Sequence, residues 1–405
     1  MTTAAIDLAE TATALVTQAG DAHANVHGDG AALARAAERV PPRTNLFIRR
    51  GTSADLPGVT SERFAPAAWR RLAPLDHPGR MPPWFSRESH IAVTDEVRLI
   101  RIPGGTLLHL AHAPVLLSGA QAMVQDASGR FAPLVNHVPV DLGAILRRAR
   151  SMSGTVFALG DEIQPLNYCH WLIDALPRLA VMRAVTGEAP AAVAVTPLAA
   201  GFQRETLRLC GFDDAEIIEL APMQALQAET LLATSDLPAP PHPAFKAAPW
   251  ALAYLRARIG GLHGVVRARP DGRRLYLSRN DGVGRRILNE DDLMAALAPL
   301  GIERETLSGK TVREQAALLA STRFVVAPHG AGLANLVFAP PGAAVLELFP
   351  RSYGTPAYYV LAAGARLRYA YLTTPDVVPG SRTQLDDMRV DVAAVAAKCR
   401  EMLRA

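Results

Sequence analysis

Cysteine is scarce in this chain: Cys169, Cys210 and Cys399 are the only three in 405 residues, with no Cys-x-x-Cys and no Cys/His cluster. That spacing excludes a disulfide scaffold and a structural zinc site, which need ligands or partners at close, repeated intervals. A reducing compartment is the natural expectation. Long hydrophobic runs are missing too, since no apolar stretch approaches the about 18 residues that cross a bilayer. The first ten residues carry Asp7 and Glu10 where a secretory leader has basic and then apolar residues. The expectation is a cytoplasmic protein, with peripheral contact to a membrane still compatible. Neither sign of charge dominates: 42 Lys and Arg against 38 Asp and Glu leave +4, too little to argue for nucleic acid. No Asp-x-Asp follows an apolar strand. The pairs Asp213-Asp214, Asp291-Asp292 and Asp386-Asp387 read as caps or solvated faces, so no metal is expected.

What the chain has is apolar mass, 49% of residues against 20% charged, enough for two globular domains with full cores. Residues 1–90 are Ala-rich, then rich in Pro, Arg and Gly, and read as an N-terminal extension. From 91 the pattern shifts to short β-type runs at 97–102, 106–110 and 114–117, with Gly104-Gly105 as a hairpin turn. Strand and helix signals then alternate through 156–158, 170–183, 191–195 and 203–209, as in a parallel sheet covered by helices. Leu-Pro-Ala-Pro-Pro-His-Pro at 237–243 is the best linker and sets the division into 91–243 and 244–405. A second alternating block follows: strand 275–278, helix 290–298, strand 302–306, helix 312–320, and a terminal helix over 390–403. The fold class is α/β, and two facing open sheets leave a ligand cleft at the carboxyl ends of their strands.

The most informative stretch is Arg-Phe-Val-Val-Ala-Pro-His-Gly-Ala-Gly-Leu-Ala-Asn at 323–335, followed by Ala-Ala-Val-Leu-Glu-Leu-Phe-Pro at 343–350. It reads as strand, Gly-rich turn, helix and strand. Gly330, Ala331 and Gly332 let the backbone approach a ligand and offer N–H groups at a helix start, a site suited to phosphate. His329 supplies a second donor, and Glu347 on the next strand is placed to take ribose hydroxyls. The same pattern imitates a dinucleotide fingerprint, but the third glycine position is Asn335 and too little chain follows for a second half. A glycine turn of this kind is also often no more than a turn.

Two further constellations carry chemistry. In Asn-Tyr-Cys-His-Trp-Leu-Ile-Asp-Ala-Leu-Pro-Arg at 167–178, His170 and Asp174 share one helix face, and Pro177 disturbs the preceding turn. Either residue can serve as a general base; equally, His170 can be a packed core histidine and Asp174 a cap. In the stretch 275–290, Arg279 stands just past a strand end, where a guanidinium suits a diphosphate. Arg286 is a weaker candidate, Arg285 reads as a surface residue, and Asn289 is placed to cap the next helix.

Taken together, residues 167–178, 276–290, Glu314-Gln315 and 327–350 resemble glycosyltransferase family 61, whose bacterial members are grouped with capsular polysaccharide biosynthesis proteins. The resemblance covers roughly residues 150–375. It implies two facing Rossmann-like domains of the GT-B type, an inverting mechanism, a nucleotide-sugar donor, a UDP-sugar as first expectation, a glycan or glycoconjugate acceptor, and no cofactor or required metal. On it, His170 and Asp174 are the catalytic pair, and Arg279, Arg286, His329, Gly330, Ala331, Gly332, Asn335 and Glu347 hold the donor. A non-catalytic glycan or sugar-nucleotide binder and a dinucleotide-dependent oxidoreductase are the rival readings. Neither the donor sugar nor the oligomeric state can be read from the chain.

Overall fold

The computed structural model describes residues 49–65, 68–71, 91–94, 96–110, 113–128, 141–159, 167–235, 248–262, 268–351, 353–375 and 385–404. Most of the N-terminal extension and the Pro-rich stretch 237–243 lie outside these residues. Among them, no helix is long and apolar enough to cross a membrane.

Two sheets organise the chain. The first has ten strands and is mixed. Its parallel wing runs Gln224–Thr234, Arg150–Ala158, Ala192–Val195, Ile217–Glu219. Its other wing is largely antiparallel, with Val97–Pro103 and Thr106–Leu110 both paired to Gln224–Thr234. The expected parallel sheet is therefore only half of this one. The hairpin expected at Gly104-Gly105 is not formed either: the two strands run end to end along one long partner, and the glycines mark a kink. Gly104 has φ +60°, and a Cβ on Gly105 would lie 2.8 Å from the Ile102 carbonyl and 2.9 Å from Leu231. Only glycine fits both places. Arg50–Gly51 and Thr60–Ala65 already belong to this sheet, paired with Met123–Val124 and Val97–Pro103, so it begins well before residue 91.

The second sheet is wholly parallel, in the order Glu303–Glu305, Arg273–Leu277, Thr322–Pro328, Ala344–Pro350, Arg368–Thr374. Its central strands are buried on both faces, which is why 322–328 and 344–350 read as continuous apolar runs. The terminal helix, Val392–Arg404, lays Val395, Ala396, Cys399 and Met402 against Leu293 and Leu297 of helix Glu290–Leu297.

One core joins the two sheets. Phe157, Leu172, Leu176 and Val193 from the first half pack in the same cluster as Leu275, Val325, Leu333 and Phe338 from the second. Polar ties cross as well. The Glu205 carboxylate accepts the Val312 and Arg313 N–H groups at the start of helix Val312–Ala320 (3.0 and 3.2 Å). The Tyr168 hydroxyl donates to Asn335 Oδ1 (2.7 Å), and Asn335 Nδ2 donates to Gln315 Oε1 (2.9 Å) and the Gly332 carbonyl (3.1 Å). Gln315 in turn donates to the Leu307 and Lys310 carbonyls. Asn335 is fully buried and its amide is committed to this chain of bonds, so it braces the halves. Asn335→Leu is expected to lower unfolding free energy by about 1–3 kcal/mol for each group left unpaired. A melting temperature equal to that of the parent protein would contradict this role.

Candidate active site

The helix carrying His170 is not regular. Asn167 caps it, its side chain accepting the Cys169 and His170 N–H groups. Tyr168–His170 then widens into a π-helical turn, Trp171–Ala175, where the Leu176 N–H bonds the Trp171 carbonyl five residues back (3.1 Å). Pro177 is the cause: it has no N–H to continue the ladder, and its ring collides with the carbonyl of an ordinary preceding turn. Trp171, Leu172, Ile173 and Leu176 are buried, and the Trp171 indole donates to Thr206 Oγ1 (2.8 Å). With that face anchored, the opposite one carries His170 and Asp174, joined Nδ1 to Oδ2 at 2.7 Å, each side chain 27% exposed. The imidazole is thus held by a carboxylate at Nδ1 while the pair keeps access to solvent. Such an arrangement favours the tautomer in which Nε2 accepts a proton.

In the second half, a buried carboxylate governs the loop after strand Arg273–Leu277. Glu290 Oε1 accepts the hydroxyls of Tyr276 (2.7 Å) and Ser278 (2.6 Å), and Oε2 accepts Asn280 Nδ2 (2.8 Å). Arg279 lies between these tethers. Its Nε and Nη2 donate to the Gly284 and Val283 carbonyls (3.3 and 3.4 Å), and among the described residues no carboxylate forms an ion pair with it. Burial first, and the Arg285 guanidinium next, hold Arg279 below its usual range; burial also lowers Arg285. Arg279 and Arg285 are thus two partly desolvated like charges that act on each other.

The two expectations for the Arg285-Arg286 pair are reversed. Arg286 is about half exposed and turned outward to Asp387, with Nη2 to Oδ2 at 2.7 Å, so its charge is already matched. Arg285, set by a positive φ of 54°, turns inward over the Tyr353 ring, 5.8 Å from its centroid. Asn289 occupies the N-cap position without capping. Its side chain pairs with the Val390 backbone instead, at 3.0 Å in both directions, and so ties in the terminal helix.

Gly330 explains the Gly-rich turn. Its backbone is extended, so conformation does not require glycine; contact does, because a Cβ there would meet the Arg279 guanidinium, with Cζ 2.9 Å away. Gly330, Ala331 and Gly332 open the expected helix, which is a 3-10 helix over Ala331–Phe338. Among the described residues, no protein acceptor meets the Gly330 or Ala331 N–H.

His329 and Glu347 take another position from the one expected. His329 is only 5% exposed, and its Nδ1 is 2.5 Å from Glu347 Oε1, with the ring stacked on Phe349 at 4.9 Å. Glu347 is fully buried and its other oxygen accepts the Tyr369 hydroxyl (2.5 Å). Both carboxylate oxygens are thus engaged inside the protein, and the Oε1 contact orients His329. Burial dominates the His329 titration and lowers its pKa, and Arg285 and Arg279 push the same way against Glu347. With Nδ1 donating to Glu347, a neutral imidazole presents Nε2 as an acceptor and a protonated one presents it as a donor.

Tyr358 connects the two halves of the site. Its ring is 5.3 Å from His329, and Cys169, the neighbour of His170, is among the groups that act on its buried hydroxyl. Sequence reasoning missed Arg285, Glu290, Tyr353 and Tyr358. Only Glu290 left a trace, since Tyr276 and Ser278 are two apart on one strand face and both need a buried partner.

Residues 168–346 match the family model described as Glycosyltransferase 61. Among solved structures, the dodecameric iron-containing heptosyltransferase TibC in complex with ADP-D-β-D-heptose covers 76% of this chain and 86% of its own, at 8% identity and a TM-score of 0.25. A likeness that slight carries no argument. No curated protein matches the sequence.

Proposed function

We propose that this chain, whose residues 168–346 carry the glycosyltransferase 61 segment, moves a sugar from a nucleoside-diphosphate donor to an acceptor hydroxyl in a single inverting displacement. The observation that carries this reading is the pairing of a carboxylate-held imidazole with an arginine pair seated on a glycine turn. His170 Nε2 takes the proton of the acceptor hydroxyl as its oxygen attacks the anomeric carbon, and Asp174 steadies the imidazolium that forms. The bond to the leaving diphosphate breaks on the opposite face. Arg279 and Arg285 meet the charge that grows there, with the Gly330 and Ala331 N–H groups beside them. A second reading keeps the pair and exchanges the roles, with Asp174 as base and His170 holding it. The two separate on comparing the variants: with His170 as base, His170→Ala loses at least as much rate as Asp174→Asn, whereas complete loss in Asp174→Asn with His170→Ala only partly impaired favours Asp174.

The donor is a nucleotide sugar and the acceptor a glycan or glycoconjugate in cell-surface polysaccharide synthesis, arranged across two facing domains of the GT-B type. Glu347 removes the acid that made the turn resemble a dinucleotide fingerprint, because both its oxygens are held internally. Binding to nicotinamide dinucleotides is therefore not expected. Because two guanidinium groups supply the neutralising charge, transfer is expected to persist in excess chelator. Loss of turnover on chelation with recovery on Mg²⁺ or Mn²⁺ would contradict that part of the mechanism.

A further inference from the structure

We infer that Glu290 is a positioning residue: it fixes the loop 278–286 so that Arg279 and Arg285 face the same anion, an inference that rests on the donor site proposed above. Glu290 is 5% exposed and is the first residue of helix Glu290–Leu297. The nearest cation, Arg304, is 3.6 Å from Oε2, beyond a hydrogen bond, so three side chains of the opposite segment satisfy the carboxylate. Those three lie on both sides of Arg279: Tyr276 and Ser278 before it, Asn280 after it. Ser278 Oγ also accepts the Asn280 N–H (3.2 Å), so the backbone turns immediately around Arg279.

This geometry gives Arg279 little freedom. Its guanidinium is set against Gly330 on one side and the Val283 and Gly284 carbonyls on the other. The loop returns through Gly284, at φ +72°, where a Cβ would lie 2.8 Å from the Leu385 Cβ, and Arg285 follows with its N–H on the Leu385 carbonyl. Arg279 and Arg285 repel each other, and unrestrained they would swing apart into solvent. A buried carboxylate that gathers both flanks of the loop opposes that escape and keeps two like charges poised for one ligand.

The test uses the full chain and measures Asn280→Ala, Glu290→Gln and Arg279→Ala against the parent protein. Calorimetry gives affinities for UDP and for uridine, donor kinetics give KM and kcat, and thermal unfolding serves as the folding control. Asn280→Ala leaves Tyr276 and Ser278 on Glu290, so the strand and helix stay joined while the tether behind Arg279 is cut. The expected result is UDP affinity weakened by about 5–20-fold, less than the loss of a whole hydrogen bond to a charged group because the Arg279 side chain is still present. The loss should appear in kcat/KM, with kcat falling as well because Arg279 meets charge that grows in the transition state, and uridine affinity should not change. Glu290→Gln keeps one acceptor oxygen for the two hydroxyls but turns an amide donor on the Asn280 Nδ2 donor, so it is expected to weaken UDP binding at least as much as Asn280→Ala. Weakening of uridine and UDP alike would show a general structural effect and overturn the inference. So would parental UDP affinity in Asn280→Ala beside a loss in Arg279→Ala, which leaves the donor site standing. If Arg279→Ala also binds as the parent does, the donor site itself is wrong and the inference falls with it. Should Glu290→Gln fail to fold, Asn280→Ala decides alone.

Discussion

Replacing His170 with alanine is expected to lower kcat by roughly 10²–10⁴, the span of a general base, while UDP affinity stays at the parental value. The separation follows from where the side chain sits. His170 lies just before the π-helical turn of the first half, and its ring bonds Asp174, whereas the arginines stand on the loop after a strand of the second sheet. An acceptor-side base acts only when a hydroxyl is in place, so its loss is a loss of transition-state stabilisation and not of ground-state binding. Asp174→Asn keeps the shape and lets the imidazole settle in the wrong tautomer, and a drop of similar kind is expected. Single-turnover rates beside calorimetry check both. Near-parental turnover in the two variants would mean that the helix is structural and the base lies elsewhere.

The second large effect concerns the arginines. Arg279→Ala and Arg285→Ala are each expected to weaken UDP binding by about 10–150-fold, which is 1.5–3 kcal/mol for a hydrogen bond to a charged group. The double variant is not expected to show the sum, since removing one cation relieves the other of its repulsion. Arg286→Ala, by contrast, breaks only an exposed pair with Asp387 and should leave affinity within about two-fold. Gly330→Val is expected to mimic Arg279→Ala, because any Cβ on residue 330 displaces that guanidinium. Equal affinities for Arg285→Ala and Arg286→Ala would undo the assignment of the inward arginine.

The parts of this molecule legible in its sequence are those set by local rules. Thr322–Pro328 is a strand because its buried run is apolar and ends in glycines, and the His170–Asp174 contact follows from helical spacing. The illegible parts depend on partners far along the chain. Arg286 finds Asp387 one hundred and one residues later, and nothing in the Arg285-Arg286 pair tells which faces inward. An acid on a central strand reads alike whether it meets a ligand or, as Glu347 does, a histidine and a tyrosine from its neighbours. Gly104-Gly105 looks like a hairpin because the long strand Gln224–Thr234, which both flanking strands share, is invisible from that position. Asn335 shows the same limit: its three bonds come from two other elements and one turn of its own.

The measurement closest to the central claim is a proton NMR time course with the protein, a panel of nucleoside-diphosphate sugars and a hydroxyl acceptor or water. The account predicts release of nucleoside diphosphate from one donor, and a first-formed product of opposite anomeric configuration, with both signals lost in His170→Ala. A product that keeps the donor's configuration, or a donor that binds and is never turned over by the parent protein, would contradict it.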